Sequence, residues 1–239
     1  MIRIISETGS TNADLLALGR DAREGDWLVA RRQTAGKGRA GRQWEDGEGN
    51  FMGSSAVALR PGDPLPQTLA LVTGLAVADA VAAVAGAPQV MLKWPNDLLI
   101  DGAKLAGILL ERAGDSVVIG IGVNLLRAPV VAGRRTTALA DHDAPIDPGA
   151  FADLLADCFA SALARWRGGG WDGLRADWLA RAHPVGTPLS VSDRDGRPVS
   201  GEFVGLGGDG AALLRLADGT TRPIHAGDVE MVGNDASRA

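Results

Sequence analysis

Short β-branched or apolar runs alternate with longer stretches in which apolar residues fall at helical spacing, and this texture holds until the chain nears Gly186. Arg3 to Ser6 reads as a strand. Ser10-Thr11-Asn12 then opens a helix with Leu15, Leu16 and Leu18 inward. Trp27 to Ala30 and Phe51 to Leu59 read as strands, the second ended by Arg60-Pro61-Gly62. Pro66 to Ala85 reads as a buried, alanine-rich helix. From Val90 to Glu111, two apolar runs flank Asp101-Gly102, a strong two-residue hairpin signal. That register sets Ile100 opposite Ala103, Leu99 opposite Lys104 and Asp97 opposite Ala106, with Asp97 and Lys104 on one sheet face. Before it, Lys93 precedes Trp94-Pro95, where the strand must bend or end.

Ser116 to Asn124 is a further buried strand, and Gly120 and Gly122 leave one of its faces flat. Arg127 to Pro148 is polar and turn-rich, a surface connection. Asp147-Pro148 starts a helix to about Arg167 that carries Phe151, Leu154, Leu155, Cys158, Phe159 and Leu163. Gly168-Gly169-Gly170 breaks it, and Trp171 to Ala182 is a second helix. Past His183-Pro184, Thr187 to Val232 consists of short alternating runs split at Asp195-Gly196, Gly207-Gly208, Asp209-Gly210 and Asp218-Gly219, the pattern of a small β-barrel. The expected division is residues 1–185, residues 186–233 and a frayed tail over 234–239. Alternating strand and helix signals fit α/β or α+β without deciding strand order.

The chain of 239 residues is acidic overall, with 24 Lys and Arg against 29 Asp and Glu, which argues against general nucleic-acid binding. A single cysteine rules out an internal disulfide framework and any cysteine zinc cluster, as a reducing compartment favours. His142, His183 and His225 lack metal-ligand spacing. Neither a signal peptide nor a membrane span is visible, so the expected location is the cytoplasm.

Against this acidic background, the stretch from Arg31 to Arg42 holds Arg31, Arg32, Lys37, Arg39 and Arg42 and no acidic residue, a cationic island overlapping a loop from Gln33 to Trp44 that holds Gly36, Gly38 and Gly41. Such a loop suits a polyanion such as a triphosphate, although a solvated basic loop has the same composition. Ser10-Thr11-Asn12 fits both a helix N-cap and polar groups lining a pocket. Lys93, Asn96, Asp97 and Lys104 gather around one apolar hairpin, where a surface salt bridge is the plainer alternative.

These stretches, taken in order, resemble the biotin protein ligase family. The resemblance rests on Ser10-Thr11-Asn12, Gln33 through Trp44, Lys93-Trp94-Pro95-Asn96-Asp97, Lys104 through Leu109, and Gly120-Ile121-Gly122-Val123-Asn124. It implies an α+β fold: a mixed sheet flanked by helices, like the class II aminoacyl-tRNA synthetase catalytic domain, with a small C-terminal SH3-like β-barrel. The repressor-type members' winged-helix DNA-binding domain has no counterpart before Ser10, so the resemblance implies a ligase that is not a repressor.

The reaction implied has two steps. Biotin's carboxylate attacks the α-phosphate of ATP, with Mg2+, to give biotinyl-5′-AMP; a lysine of a biotin carboxyl carrier domain then attacks that anhydride. By the same resemblance, Lys104, Arg39, Asp97 and Lys93 carry the chemistry. Ser10, Thr11, Asn12, Gln33, Gly36, Arg39, Lys104, Gly107, Gly120 and Gly122 hold biotin. Lys37, Arg39, Arg42, Trp44, Asn96, Lys104 and Asn124 hold ATP or the adenylate, with Trp44 over the adenine and MgATP near Asp97. Lys37 stands where arginine is more usual and lacks the bidentate fork. Lipoate ligation is the nearest alternative chemistry. No nucleic acid or membrane is expected as a partner, and both monomers and homodimers fit the sequence.

Overall fold

A computed structural model describes residues 1–45, 47–192 and 198–231. The first part is a seven-stranded mixed sheet built from β1 (Ile2–Thr8), β2 (Trp27–Gln33), β3 (Phe51–Ala58), β4 (Met91–Lys93), β5 (Asp97–Ile100), β6 (Ala103–Ala113) and β7 (Ser116–Val123). Its order is β1-β2-β3-β7-β6-β5-β4, with β1 and β2 parallel and every other pair antiparallel.

The pleat sorts the strands' residues. Phe51 and Val57 of β3, Ile108 of β6 and Ile119, Ile121 and Val123 of β7 are buried in the main core. That core also takes in α2 (Leu69–Ala82) and α3 (Pro148–Arg167). Trp27 meets Phe159 edge-on at 5.6 Å, and Phe51 meets Phe151 at 5.4 Å. The Trp166 indole N–H donates to Thr68 Oγ1 at 2.8 Å, so this fully buried ring leaves no polar atom unpaired. α2 is buried almost all round, as its alanine-rich sequence requires. Cys158 packs half-buried against the core, and burial pushes its thiol pKa up.

The other face carries Met52, Ser54, Gly107, Leu109, Gly120 and Gly122, since the ladders pair Ser54 with Gly120, Met52 with Gly122, Gly107 with Gly122 and Leu109 with Gly120. α1 (Thr11–Leu18) lies over one end of this face, where Leu15 packs with Leu28 and Val118. Leu18, expected inward, is exposed.

The hairpin forms where expected: Asp101 and Gly102 have φ of 49° and 75°, the paired left-handed conformation of a tight hairpin turn. Its register needs one correction. A bulge between Leu98 and Leu99 sets Asp97 opposite Gly107, not Ala106, because β6 contributes one extra residue there. Asp97 and Lys104 still share a face.

α4 (Trp171–Arg181) leads into the second sheet, formed by β8 (Pro188–Ser192), β9 (Pro198–Leu206), β10 (Ala212–Arg215), β11 (Thr221–Ile224) and β12 (Asp228–Met231). Its order is β11-β10-β9-β8-β12, antiparallel throughout. This sheet is consistent with the expected small SH3-like domain, and among the described residues it does not close, since β11 and β12 share no ladder. β11 contains Pro223, which has no N–H to donate and suits an edge. The Asp195-Gly196 turn and the tail expected over 234–239 lie outside the described residues.

His183 joins the two sheets. It is buried edge-on against Phe203 at 4.3 Å, and neither ring nitrogen has a partner in hydrogen-bond geometry among the described residues. Burial lowers its pKa to about 4, the charge of Lys93 adds to this, and the Pro184 peptide offsets only part. The neutral ring therefore stabilises the fold fully above its unfolded pKa of 6.5, and that contribution is lost as the pH falls towards 4. Chemical denaturation should register a loss of about 3 kcal/mol across this window, and His183→Leu should flatten the pH profile.

Candidate active site

The glycine-bearing face of the large sheet forms the floor of an open cavity of about 280 Å³. Ser10, Thr11, Asn12, Gln33, Lys37, Arg39, Arg42, Trp44, Lys93, Asn96, Asp97, Lys104, Gly107, Gly120, Gly122 and Asn124 all line it. Gly36 does not. It sits behind Trp44, accepting the Trp44 N–H at 3.0 Å, and a Cβ there would press on the Trp44 carbonyl at 2.9 Å.

One end of the cavity is a buried polar network. Ser10 caps α1, its hydroxyl accepting from the Ala13 N–H at 3.4 Å. The Thr11 N–H donates to Gln33 Oε1 at 2.8 Å, and Thr11 Oγ1 lies 2.6 Å from Ser54 Oγ. Ser54 donates to Asn12 Oδ1 at 2.6 Å, and Asn12 Nδ2 donates to Glu111 at 2.7 Å. The triplet is thus both cap and pocket wall.

The glycines admit other side chains rather than leaving bare backbone. A Cβ on Gly120 would overlap the Asn12 amide, and one on Gly122 would overlap the Trp44 ring, each closer than any real Cβ approaches. At Gly107 a Cβ would lie 3.1 Å from both Lys104 Nζ and Trp44. The Trp44 indole therefore lies against β6 and β7, its Nε1 buried without a hydrogen-bond partner among the described residues and its ring 5.6 Å from the Lys104 ammonium.

The charged end is built on the hairpin. Lys104 Nζ donates to Asp97 Oδ1 at 2.6 Å, both side chains being about four-fifths buried. Arg39 Nη1 donates to Asn96 Oδ1 at 3.0 Å, and its Nη2 to the Gly227 carbonyl of the second sheet at 3.2 Å. Asn96 Nδ2 is anchored on the Ile108 carbonyl at 2.7 Å, so the Arg39 contact is held on strand backbone. Arg42 donates to the Arg39 carbonyl at 3.2 Å, closing the loop on itself. Of the cationic island, Lys37, Arg39 and Arg42 face the cavity; Arg32 turns away to pair with Glu7 at 3.1 Å.

Asn124, read from the sequence as an adenylate contact, donates through Nδ2 to the carbonyls of Lys104 (3.3 Å) and Thr137 (3.1 Å). It braces the strand that carries Lys104. The stretch read as a surface connection also reaches the site: Val131, Arg134 and Thr136 line the cavity, and the Lys104 N–H donates to the Arg135 carbonyl at 2.8 Å. Its sequence, without alternation or motif, carries no signal of this. Ser54 and Glu111 were likewise not singled out.

Among the described residues no cluster of three metal-ligating side chains exists. Asp97 can still share a Mg2+ with nucleotide phosphates, since that ion needs only one or two protein carboxylates when phosphates complete its shell.

The biotin/lipoate A/B protein ligase family model matches residues 3–124, and the biotin protein ligase C-terminal domain model matches residues 191–232. A biotin–[acetyl-CoA-carboxylase] ligase of Paracoccus denitrificans is 38% identical over 225 residues, covering 89% of this chain and 93% of its own length. That of Mycobacterium tuberculosis is 37% identical, covering 95% of this chain and 87% of its own. Among solved structures, the biotin protein ligase of Aquifex aeolicus in complex with biotin and ATP superposes with a TM-score of 0.86 over 96% of this chain and 98% of its own, at 24% identity, which establishes the shared fold. The chain belongs to the biotin/lipoate A/B protein ligase family.

Proposed function

We propose that the protein is an ATP-dependent biotin ligase that forms biotinyl-5′-AMP and passes the biotinyl group to a lysine of a biotin carboxyl carrier domain. The observation that carries this reading is the buried run of Gln33, Thr11, Ser54 and Asn12 beside a cationic cleft. A cyclic urea has ring N–H donors and a carbonyl acceptor to satisfy such groups. The dithiolane of lipoate has neither and cannot join the network.

In the first step a carboxylate oxygen attacks the α-phosphorus, and the bond to pyrophosphate breaks. Lys104 donates to the carboxylate and phosphoryl oxygens where charge builds up, oriented by Asp97. Arg39, with Lys37 and Arg42, offsets the repulsion between the two anions in a partly dried cleft. Asp97 would hold the Mg2+ that accompanies ATP, and that ion would supply screening of the phosphate charge. In the second step the acceptor's amine attacks the acyl carbon and AMP leaves. Residues 1–185 carry this chemistry, and the second domain contributes Gly227 and Val229 to one side of the cleft.

The test is transfer of labelled biotin to a purified carboxyl carrier domain with MgATP, run beside lipoate. Biotin transfer alone is expected; lipoate transfer alone, or no release of pyrophosphate with either acid, overturns the reading. Lys37→Arg supplies the missing fork and should slow release of the adenylate roughly tenfold in a chase assay. An unchanged or faster release would remove Lys37 from the phosphate site.

A further inference from the structure

The chain from Leu126 to Thr136 forms part of the cavity's rim, where Pro129, Val131, Arg134 and Thr136 line it. No residue of this stretch is buried, and Val130 is fully exposed, so hydrogen bonds at its two roots set its position. At one root the Lys104 N–H donates to the Arg135 carbonyl at 2.8 Å, and the Thr137 N–H donates to the Lys104 carbonyl at 3.0 Å. At the other root stands Asn50, 3% exposed and outside the cavity lining. Its Oδ1 accepts three successive N–H groups, those of Leu125 and Leu126 at 3.0 Å and that of Arg127 at 3.1 Å. Its Nδ2 donates to the Arg127 carbonyl at 2.8 Å. Both ends of one buried amide thus bind a single turn of backbone.

A second turn places Asn50 itself. Its N–H donates to the Gly47 carbonyl at 2.9 Å, and Gly49 has φ of 84°, a conformation that favours glycine. A Cβ on Gly47 would overlap the Asn50 amide, and one on Gly49 would overlap the Leu126 side chain. These glycines let the end of the basic loop, a few residues past Trp44, press directly on the root of the rim.

We infer that Asn50 is a positioning residue for the nucleotide side of the cavity: it holds the rim at its root and locks that root to the end of the basic loop. The nucleotide side is the one affected because the rim's other root is the backbone of Lys104. Thr11, Asn12 and Ser54, by contrast, are tied to one another and to Gln33 and Glu111 on the sheet. The choice of ligand rests on the biotin ligase reading; the hold on the rim does not.

Two measurements test it. Hydrogen exchange of the substrate-free protein reads the hold on the rim: Asn50→Ala should speed exchange from Leu125 to Thr136 by about tenfold or more, with α1 and β2 unchanged. Steady-state pyrophosphate release, with ATP and biotin varied separately, reads the function. Asn50→Ala should raise the KM for ATP about tenfold and leave the KM for biotin within about twofold. A residue that only stabilised the fold would lower the amount of active enzyme and leave both KM values alone. Asn50→Asp keeps an acceptor for the three N–H groups but sets an oxygen against the Arg127 carbonyl, so its KM for ATP should rise less, about threefold. Gly49→Ala drives a methyl into Leu126 with Asn50 intact and should also raise the KM for ATP. Adding Leu126→Ala removes the obstacle and should recover part of that rise.

Unchanged exchange over the rim, a KM for ATP untouched by Asn50→Ala, or an equal rise in both KM values would each overturn the inference. If Asn50→Ala does not fold, Gly49→Ala decides the matter, and a parent-like KM for ATP in that variant overturns it too. A parent protein that makes no adenylate from biotin would overturn the reaction assignment, while exchange over the rim would still decide whether Asn50 holds it.

Discussion

Replacing Lys104 by alanine is expected to lower biotin-dependent pyrophosphate release by about 10²–10³-fold, the effect of removing one donor aimed at developing charge in a water-poor site. Its ammonium touches Asp97 and lies 5.6 Å from the Trp44 ring, so it is oriented before either substrate arrives. Asn124 fixes the backbone at the same residue. The fold should survive with some loss of melting temperature, because the pair is about four-fifths buried and the change leaves Asp97 without its cation. Lys104→Arg keeps the charge but moves it onto a planar fork that does not match the single contact to Asp97, and should recover only part of the rate. A rate within threefold of the parent for Lys104→Ala would remove Lys104 from the chemistry.

Gly122→Ala is the second large effect. The added methyl would occupy the space of the Trp44 indole, so the ring must lift from β7 and carry the loop from Gly36 to Trp44 with it. Overpacking of this kind costs about 1–3 kcal/mol. Because Trp44 belongs to a loop, that penalty should appear mainly as lost affinity for the adenylate, about 10–100-fold, rather than as unfolding. Calorimetric titration with a non-hydrolysable biotinyl-adenylate analogue reads it directly. Trp44→Ala should make the glycine tolerant, so the double variant should lose much less than the sum of the two single changes. Additive losses would mean that Gly122 acts on something other than Trp44.

The contrast between these positions shows what a one-dimensional reading can and cannot reach. Lys104, Asp97 and the Asp101-Gly102 turn are close in sequence, so hairpin geometry alone puts the two charges on one face. The bulge at Leu98 shifts the opposite partner by one residue without leaving a mark in the pattern. Gly120 and Gly122 were legible as a flat patch, but not what fills it, because Asn12 and Trp44 arrive from elsewhere in the chain. Ser54 stands beside Ser55 in β3 and Glu111 beside Arg112 in β6, and nothing local separates them from solvent-facing positions. Fold class and loop chemistry are written in short segments. Strand order, the open second sheet and the part played by Val131 to Thr136 arise from packing between distant ones.

The hydrogen bond from Arg39 to Gly227 spans 188 positions of sequence. At roughly 5–20 residues per second, a ribosome needs on the order of 10–40 s to travel that distance. For that interval the nascent chain already carries its cationic loop but lacks the carbonyl that completes the loop's anchorage. The loop's tie to the second sheet is thus one of the late contacts that the growing polypeptide can make.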